Sequence, residues 1–322
     1  MTSRPNGRMR TGFASVAARL VVGAVLAGAC GLAPARAASP AAAQMTFATP
    51  DEAGQALIDA AERFDVATLA EILGPEGVDL VVTEDSVQSK NEAAAFAAQA
   101  RGKTEIVRDP GNPKIAILAV GAEAWPMPIP IVEIRGTWRF DTKAGRQEIL
   151  YRRIGRNELD AIEVCRGYVE AQHEYALEKH DRSDVNQYAR RIVSTAGKQD
   201  GLAWRAPDGT WQGPVGEAIA RVIAEGYTDR YEPYHGYHFK ILKGQGPAAP
   251  LGAMDFLVDG AMIGGFALVA SPADYWVTGV KTFIVSHDGV VYEKDLGSKT
   301  LESFRAMERF NPDKSWSPVE AP

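Results

Sequence analysis

The sequence predicts an α+β protein with helices and antiparallel strands segregated along the chain. Three observations carry this: apolar residues at helical spacing before residue 100, short strands broken by Pro and Gly from Thr104 to Asp141, and one long helical pattern followed by hairpin-spaced strands. The expected architecture is an N-terminal helix pair on a curved antiparallel meander, then a long helix packed on an antiparallel sheet. With 322 residues, 46% of them hydrophobic, the chain can bury one large core or two modest ones.

Residues 1–37 read as a signal peptide that precedes this fold. Arg4, Arg8 and Arg10 are followed by an apolar run from Leu20 to Ala33 and then by Ala35-Arg36-Ala37, the basic, apolar and small-residue order a signal peptidase recognises. Cleavage is predicted between Ala37 and Ala38. The apolar run is about 14 residues, short of the roughly 20 that span a bilayer, and no later segment is long enough either. A rival is lipidation at Cys30, because Leu26-Ala27-Gly28-Ala29-Cys30 is a degraded lipobox. Residues 1–37 carry five Arg and no acid, so the remainder holds 30 Lys and Arg against 41 Asp and Glu, a net −11. That balance argues against nucleic acid as a partner. Only Cys165 survives such cleavage, so no internal disulfide forms and stability must come from packing.

Residues 38–45 read as a flexible spacer. Thr49 caps a helix, Pro50 fits its first turn and Glu52 sits at the capping-box position, with Ala53, Ala56, Leu57, Ala60, Ala61 and Phe64 as the apolar stripe. A second helix, Val66 to Leu73, stops at Gly74-Pro75, and Asn91 to Ala100 is a third. Strands follow at Thr104–Arg108, Lys114–Val120, Ile129–Ile134 and Thr137–Asp141. Arg146 to Lys179 is the long, mostly helical segment, with Ile149, Leu150, Ile154, Leu159, Ile162, Cys165, Val169 and Ala176 as its stripe and Gly155 expected to bend or split it. A short helix is expected near Val185–Ile192 and an amphipathic one at Val215–Glu225. The last sheet is Tyr237–Lys243, Gly265–Ala270, Lys281–Ser286 and Val290–Lys294, with Asp288-Gly289 supplying positive φ for the final hairpin. The divisions that result are a module over 46–145, a second over 146–316 and a tail at 317–322.

Three resemblances attach to these stretches. Helices leaning on a meander that ends Gly136-Thr137-Trp138-Arg139-Phe140 resemble the cone fold of nuclear-transport-factor-two and SnoaL-like proteins. The second module resembles type IV pilin-like globular domains through the helix with Asn157-Glu158-Leu159, Gln172 and Tyr175, the Gly236-Tyr237-His238-Phe239 strand, Ala270-Ser271-Pro272-Ala273 and Thr282 to Val291. No apolar filament-forming stem directly precedes that helix, so this likeness is to the fold. Over residues 45–316 the chain is similar to a bacterial secreted family catalogued as domain of unknown function 2950. The stretches that carry this are Phe47-Ala48-Thr49-Pro50, Arg153 to Ala161, Glu232 to Tyr237, Met262 to Ala267 and Val291 to Gly297. The resemblance implies a cell-envelope location and brings no activity.

Several constellations invite chemistry. His235 and His238 in PYHGYHFKI would share a helical face, but Pro233 and Gly236 oppose a helix, and in a strand residues three apart point to opposite faces. No metal site is predicted from them, nor any cofactor. Ser286-His287-Asp288 holds triad residue types in a turn, where consecutive residues cannot bond in series. Cys165 and His173 lie about 12 Å apart along one helix, and Cys165 reads as a small buried hydrophobe. Asp181, Ser183, Asp184 and Asn186 lack the central Gly and terminal Glu of a calcium loop. Glu158, with Asp160 and Glu163, reads as helix-start acid. Trp204, Trp211, Tyr227, Tyr231, Tyr234 and Trp276 are aromatics that could stack on a sugar or a peptide. The functional expectation is an exported, periplasmic or extracellular non-enzymatic binding or assembly module that engages an envelope protein or glycan through Trp204, Trp211, Tyr231, Tyr234 and Trp276, with a lipid-anchored assembly factor as a further form. The alternative is a hydrolase whose cleft between the modules uses Glu158 with His235 or His238.

Overall fold

The computed structural model describes residues 44–81, 86–215 and 233–320. Cys30, Ala37, Ala38, the helix expected from Val215 to Glu225 beyond its first residue, Tyr227 and Tyr231 lie outside the described residues. The described residues contain no helix long and apolar enough to cross a membrane.

Ordered contacts begin inside the expected spacer: Gln44 Nε2 donates to the carbonyls of Ile72 and Phe140. Helix α1 (Pro50–Arg63) starts where Thr49 Oγ1 accepts from Glu52 N at 3.1 Å. Glu52 Oε2 accepts in turn from Ala48 N, just before the cap, so a first-turn donor and one preceding the helix are both satisfied. Phe64 at φ +49 ends α1, and Asp65 caps α2 (Val66–Leu73) through Thr68 N. Helices α3 (Val78–Val81) and α4 (Ser86–Gly102) follow, α4 longer at both ends than the apolar spacing predicts. Arg101 ties α4 to Asp59 and Glu62 of α1.

Strands β1 (Thr104–Arg108), β2 (Ile115–Val120), β3 (Trp125–Pro126), β4 (Ile131–Ile134) and β5 (Thr137–Phe140) form an antiparallel sheet in the order β1-β2-β4-β5, with β3 also on β2. Ala116, Leu118, Ile131, Trp138 and Phe140 point from it into one core with Leu57, Ile58, Ile72 and Leu73 of the helices. Fully buried Leu118 makes the cost of disrupting this core about 2–5 kcal/mol on truncation to Ala.

Helix α5 (Thr142–Tyr175) starts at Asp141, whose carboxylate accepts from Ala144 N, and runs 34 residues without interruption. Two expectations change here. Gly155 does not split the helix, which continues through it, since a helical Gly costs only about 1 kcal/mol relative to Ala. Leu159 is 64% exposed, because it lies about 140° around the helix from Ile154. The buried stripe is Ile154, Ala161, Ile162, Cys165, Tyr168, Val169 and Gln172.

No helix forms near Val185–Ile192. Gln172 Oε1 accepts from Ala189 N and its Nε2 donates to Ala189 O, both at 2.8 Å, while Tyr188 N donates to Met262 O. The segment's backbone groups are thus satisfied by distant residues in an extended form. It leads into a small sheet of β6 (Arg191–Val193), β7 (Gly201–Arg205) and β8 (Trp211–Gln212), with β6 parallel to β7.

The larger second sheet is antiparallel in the order β18-β16-β15-β14-β9. Its strands are β9 (Tyr237–Leu242), β14 (Ala267–Pro272), β15 (Lys281–Ser286), β16 (Val291–Asp295) and β18 (Ser317–Pro318). Between β9 and β14 lie the two-residue strands β10 (Gly244–Gln245), β11 (Met254–Asp255), β12 (Leu257–Val258) and β13 (Ala261–Met262), and β17 (Arg309–Phe310) pairs with β10. Strand β18 extends the edge beside β16 within the expected tail. Helix α5 packs on one face and α6 (Thr300–Ala306) on the other, so β14 is buried along its whole length. In the final hairpin only Gly289 takes positive φ: Gly289 N donates to Ser286 O, and Asp288 instead accepts from Ser286 Oγ and Val290 N.

Candidate functional site

The stretch that held the two histidines folds as a tight turn. Tyr234 and Tyr237 exchange both backbone hydrogen bonds at 2.9 Å, with His235 at φ +47 and Gly236 at φ +75 between them. Gly236 is required on two counts, since a Cβ there would also stand 2.6 Å from Asn157 Nδ2. His235 Nδ1 meets Asp160 Oδ2 of α5 at 2.5 Å. His238 is turned to the other face of the sheet, its ring 6.1 Å from that of Phe304 on α6, and burial lowers its pKa. The two imidazoles therefore serve opposite faces. Among the described residues no group of three or more His, Cys, Asp or Glu is placed to hold a metal ion.

Asn157, Glu158 and Asp160 together fasten α5 to the sheet. Asn157 Nδ2 donates to Thr278 O at 2.8 Å. Glu158 Oε1 accepts from Val280 N at 2.8 Å and Lys281 N at 3.0 Å. Beside them the buried Tyr237 donates its hydroxyl to Lys281 O, and burial with the nearby Glu158 carboxylate raises its pKa. One oxygen of Glu158 is thus committed to two backbone amides, an arrangement that holds structure.

A cavity of about 480 Å³ opens along the next three turns of α5. Val164, Gly167, Tyr168 and Ala171 of α5 form one wall; Ile192, Leu202, Phe239 and Leu268 face them. Pro214 and Val215 close one side, Tyr234 and His235 another. Asp160, Glu163, Glu170 and Glu174 border it, and none of the described lining residues is Lys or Arg. Such a size and such largely apolar walls suit a small organic molecule. Gly167 is notable for having nothing within 4 Å of its missing Cβ, so packing does not demand a glycine there.

Of the residues singled out from sequence, Asp160, Glu163, Tyr234 and His235 line this cavity, while Glu158 and His238 are not among its described lining. The aromatics do not gather in one place. Trp204 donates to Gln212 Oε1 and lies 5.5 Å from His180; Trp211 sits under the Arg205 guanidinium; Trp276, 49% exposed at φ +61, stands beside Tyr151 and Tyr275. Cys165 is fully buried, and burial pushes its thiol pKa up to about 12, far from thiolate reactivity. His173 packs against Phe266 instead. In the supposed calcium loop Asn186 Nδ2 donates to the carbonyls of Ala176 and Leu177, capping the end of α5, and Asp181 Oδ1 accepts from Gln199 N.

Sequence reasoning missed Gly167, Glu170 and Glu174. Their signal was present as the 3-4-3-4 spacing of Asp160, Glu163, Gly167, Glu170 and Glu174, which puts a glycine inside a row of acids. It also missed His180, which is buried, stacked at 3.9 Å on Tyr175 and bonded to Tyr175 O, beside a smaller polar cavity of about 270 Å³.

No curated protein and no solved structure matches the chain. A family model described as "Protein of unknown function (DUF2950)" matches residues 44–319, and with nearly the whole chain matched, the protein belongs to that family.

Proposed function

We propose that this is an exported, non-enzymatic binding protein of the cell envelope whose ligand occupies the cavity beside α5. Export rests on the order of Arg residues, apolar run and Ala35-Arg36-Ala37 in the first 37 residues. In this reading the protein released to the periplasm or beyond begins at Ala38, which N-terminal sequencing of the host's exported protein checks; a diacylated Cys30 would replace it with a membrane-held form.

The observation that carries the binding reading is the cavity itself, with mostly apolar walls and an acidic border. Its test is the fluorescence of the neutral probe N-phenyl-1-naphthylamine, which brightens when taken out of water. Wild type is expected to brighten it saturably, and Gly167→Phe, which fills the cavity from its wall, to abolish the effect with helix content unchanged. Unaltered brightening in Gly167→Phe would move the ligand elsewhere.

A second reading draws on His235 and Asp160, a hydrogen-bonded pair at the cavity mouth of the kind that moves protons. Hydrolysis by this pair would require turnover of an ester or glycoside probe that His235→Ala removes. The commitment of Glu158 to the Val280 and Lys281 amides argues for the binding reading.

A further inference from the structure

The chemical class of the ligand follows from how α5 divides its cavity-facing surface. At 100° per residue, Glu163, Glu170 and Glu174 lie about 20–60° to one side of Gly167, and Ala171, Val164 and Tyr168 about 40–100° to the other. The wall is therefore apolar toward the sheet, where Phe239 and Leu268 face it, and anionic toward solvent, with Gly167 as the open seam between. Of the bordering acids, Asp160 has His235 as a partner. The ion pairs among the described residues leave Glu163, Glu170 and Glu174 without a cation. Glu170 and Glu174 are one turn apart, a like-charge pair that destabilises a helix by a few tenths of a kcal/mol. Together with a helical glycine that packing does not require, two unfavourable local choices converge on the same cavity wall.

We propose that the ligand is an amphiphilic cation: a quaternary ammonium or protonated amine carried on a hydrocarbon chain or ring. This rests on the cavity being the ligand site. The hydrocarbon lies in the cavity along Val164, Gly167 and Ala171 of α5 and Leu268 of the sheet, and the cationic head lies over Glu170 and Glu174 at the solvent edge. An anionic amphiphile of the same length is rejected, because its head meets the acids with no described Lys or Arg among the lining to receive it. A bare metal ion does not fit the same surface, whose acids lie along about 21 Å of helix from Asp160 to Glu174 and do not converge.

The experiment is displacement of N-phenyl-1-naphthylamine from the full exported chain by three probes of equal tail length, each below its micelle threshold: dodecyltrimethylammonium, dodecyl sulfate and the uncharged-at-neutral-pH dodecyldimethylamine oxide. The expected result is half-displacement by the ammonium at about tenfold lower concentration than by the amine oxide, with dodecyl sulfate weaker still. Raising the salt concentration narrows the gap. The double variant Glu170→Gln, Glu174→Gln should keep the dye and bring ammonium and amine oxide within about threefold of each other. Equal potency of the three probes on wild type, or a preference that survives the double variant, overturns the proposal while leaving the cavity as a binding site. Absence of dye binding by wild type overturns the cavity reading as well. Capture of an oligolysine peptide without loss of the dye would assign the acidic row to a protein partner and also overturn the proposal.

Discussion

Glu158 shows how a residue that looks chemical in sequence is used structurally. Its Oε1 takes the N–H groups of Val280 and Lys281, at the start of β15, just after the turn that Asn157 grips through Thr278 O. Hydrogen bonds to a charged group contribute about 1.5–3 kcal/mol, and losing the acceptor leaves two part-buried donors unmet. Glu158→Ala is therefore expected to lower stability by about 2–4 kcal/mol in urea unfolding, with dye binding at the cavity retained in the folded fraction. A variant of wild-type stability would show that the two amides find water instead. The opposition of His235 and His238 was legible in sequence, because Pro233 and Gly236 rule out the one conformation that would align them. Leu159 was misplaced for a simpler reason: it is apolar, but its angle around the helix is wrong.

At the scale of elements, the long helix, the meander and the final antiparallel sheet were legible from periodicity and turn residues. Thr104–Arg108, Lys281–Ser286 and Val66–Leu73 have the bounds that spacing alone assigns. What was not legible is where distant side chains replace local hydrogen bonds. The Val185–Ile192 stretch has a helical composition, yet Gln172, 17 residues away, holds both backbone groups of Ala189. Such a clamp has no local signature. Its removal is diagnostic: Gln172→Leu keeps the volume but leaves a buried N–H and C=O unsatisfied, at about 1–3 kcal/mol each. The expected outcome is a loss of about 3 kcal/mol with faster hydrogen exchange around Ala189 and unchanged exchange in α1 and α2. Uniformly faster exchange would show instead that the segment unfolds only with the whole chain.

For the molecule as a whole, the two cores are built differently. The N-terminal one is covered on one face of its sheet by α1, α2 and α4, whereas the second sheet has α5 on one face and α6 on the other. The second arrangement leaves a cavity beside α5, lined by Gly167, where a Cβ would meet nothing within 4 Å. That feature depends on the spacing of a helix over a sheet, which sequence periodicity does not encode. The most direct measurement is a size series at this position, Gly167→Ala, Gly167→Leu and Gly167→Phe, each titrated with the neutral dye and unfolded in urea. The account predicts that stability rises by about 1 kcal/mol with alanine, from the helix propensity it restores, while affinity falls with each added volume and is gone with phenylalanine. Affinity independent of side-chain size across the series would contradict it.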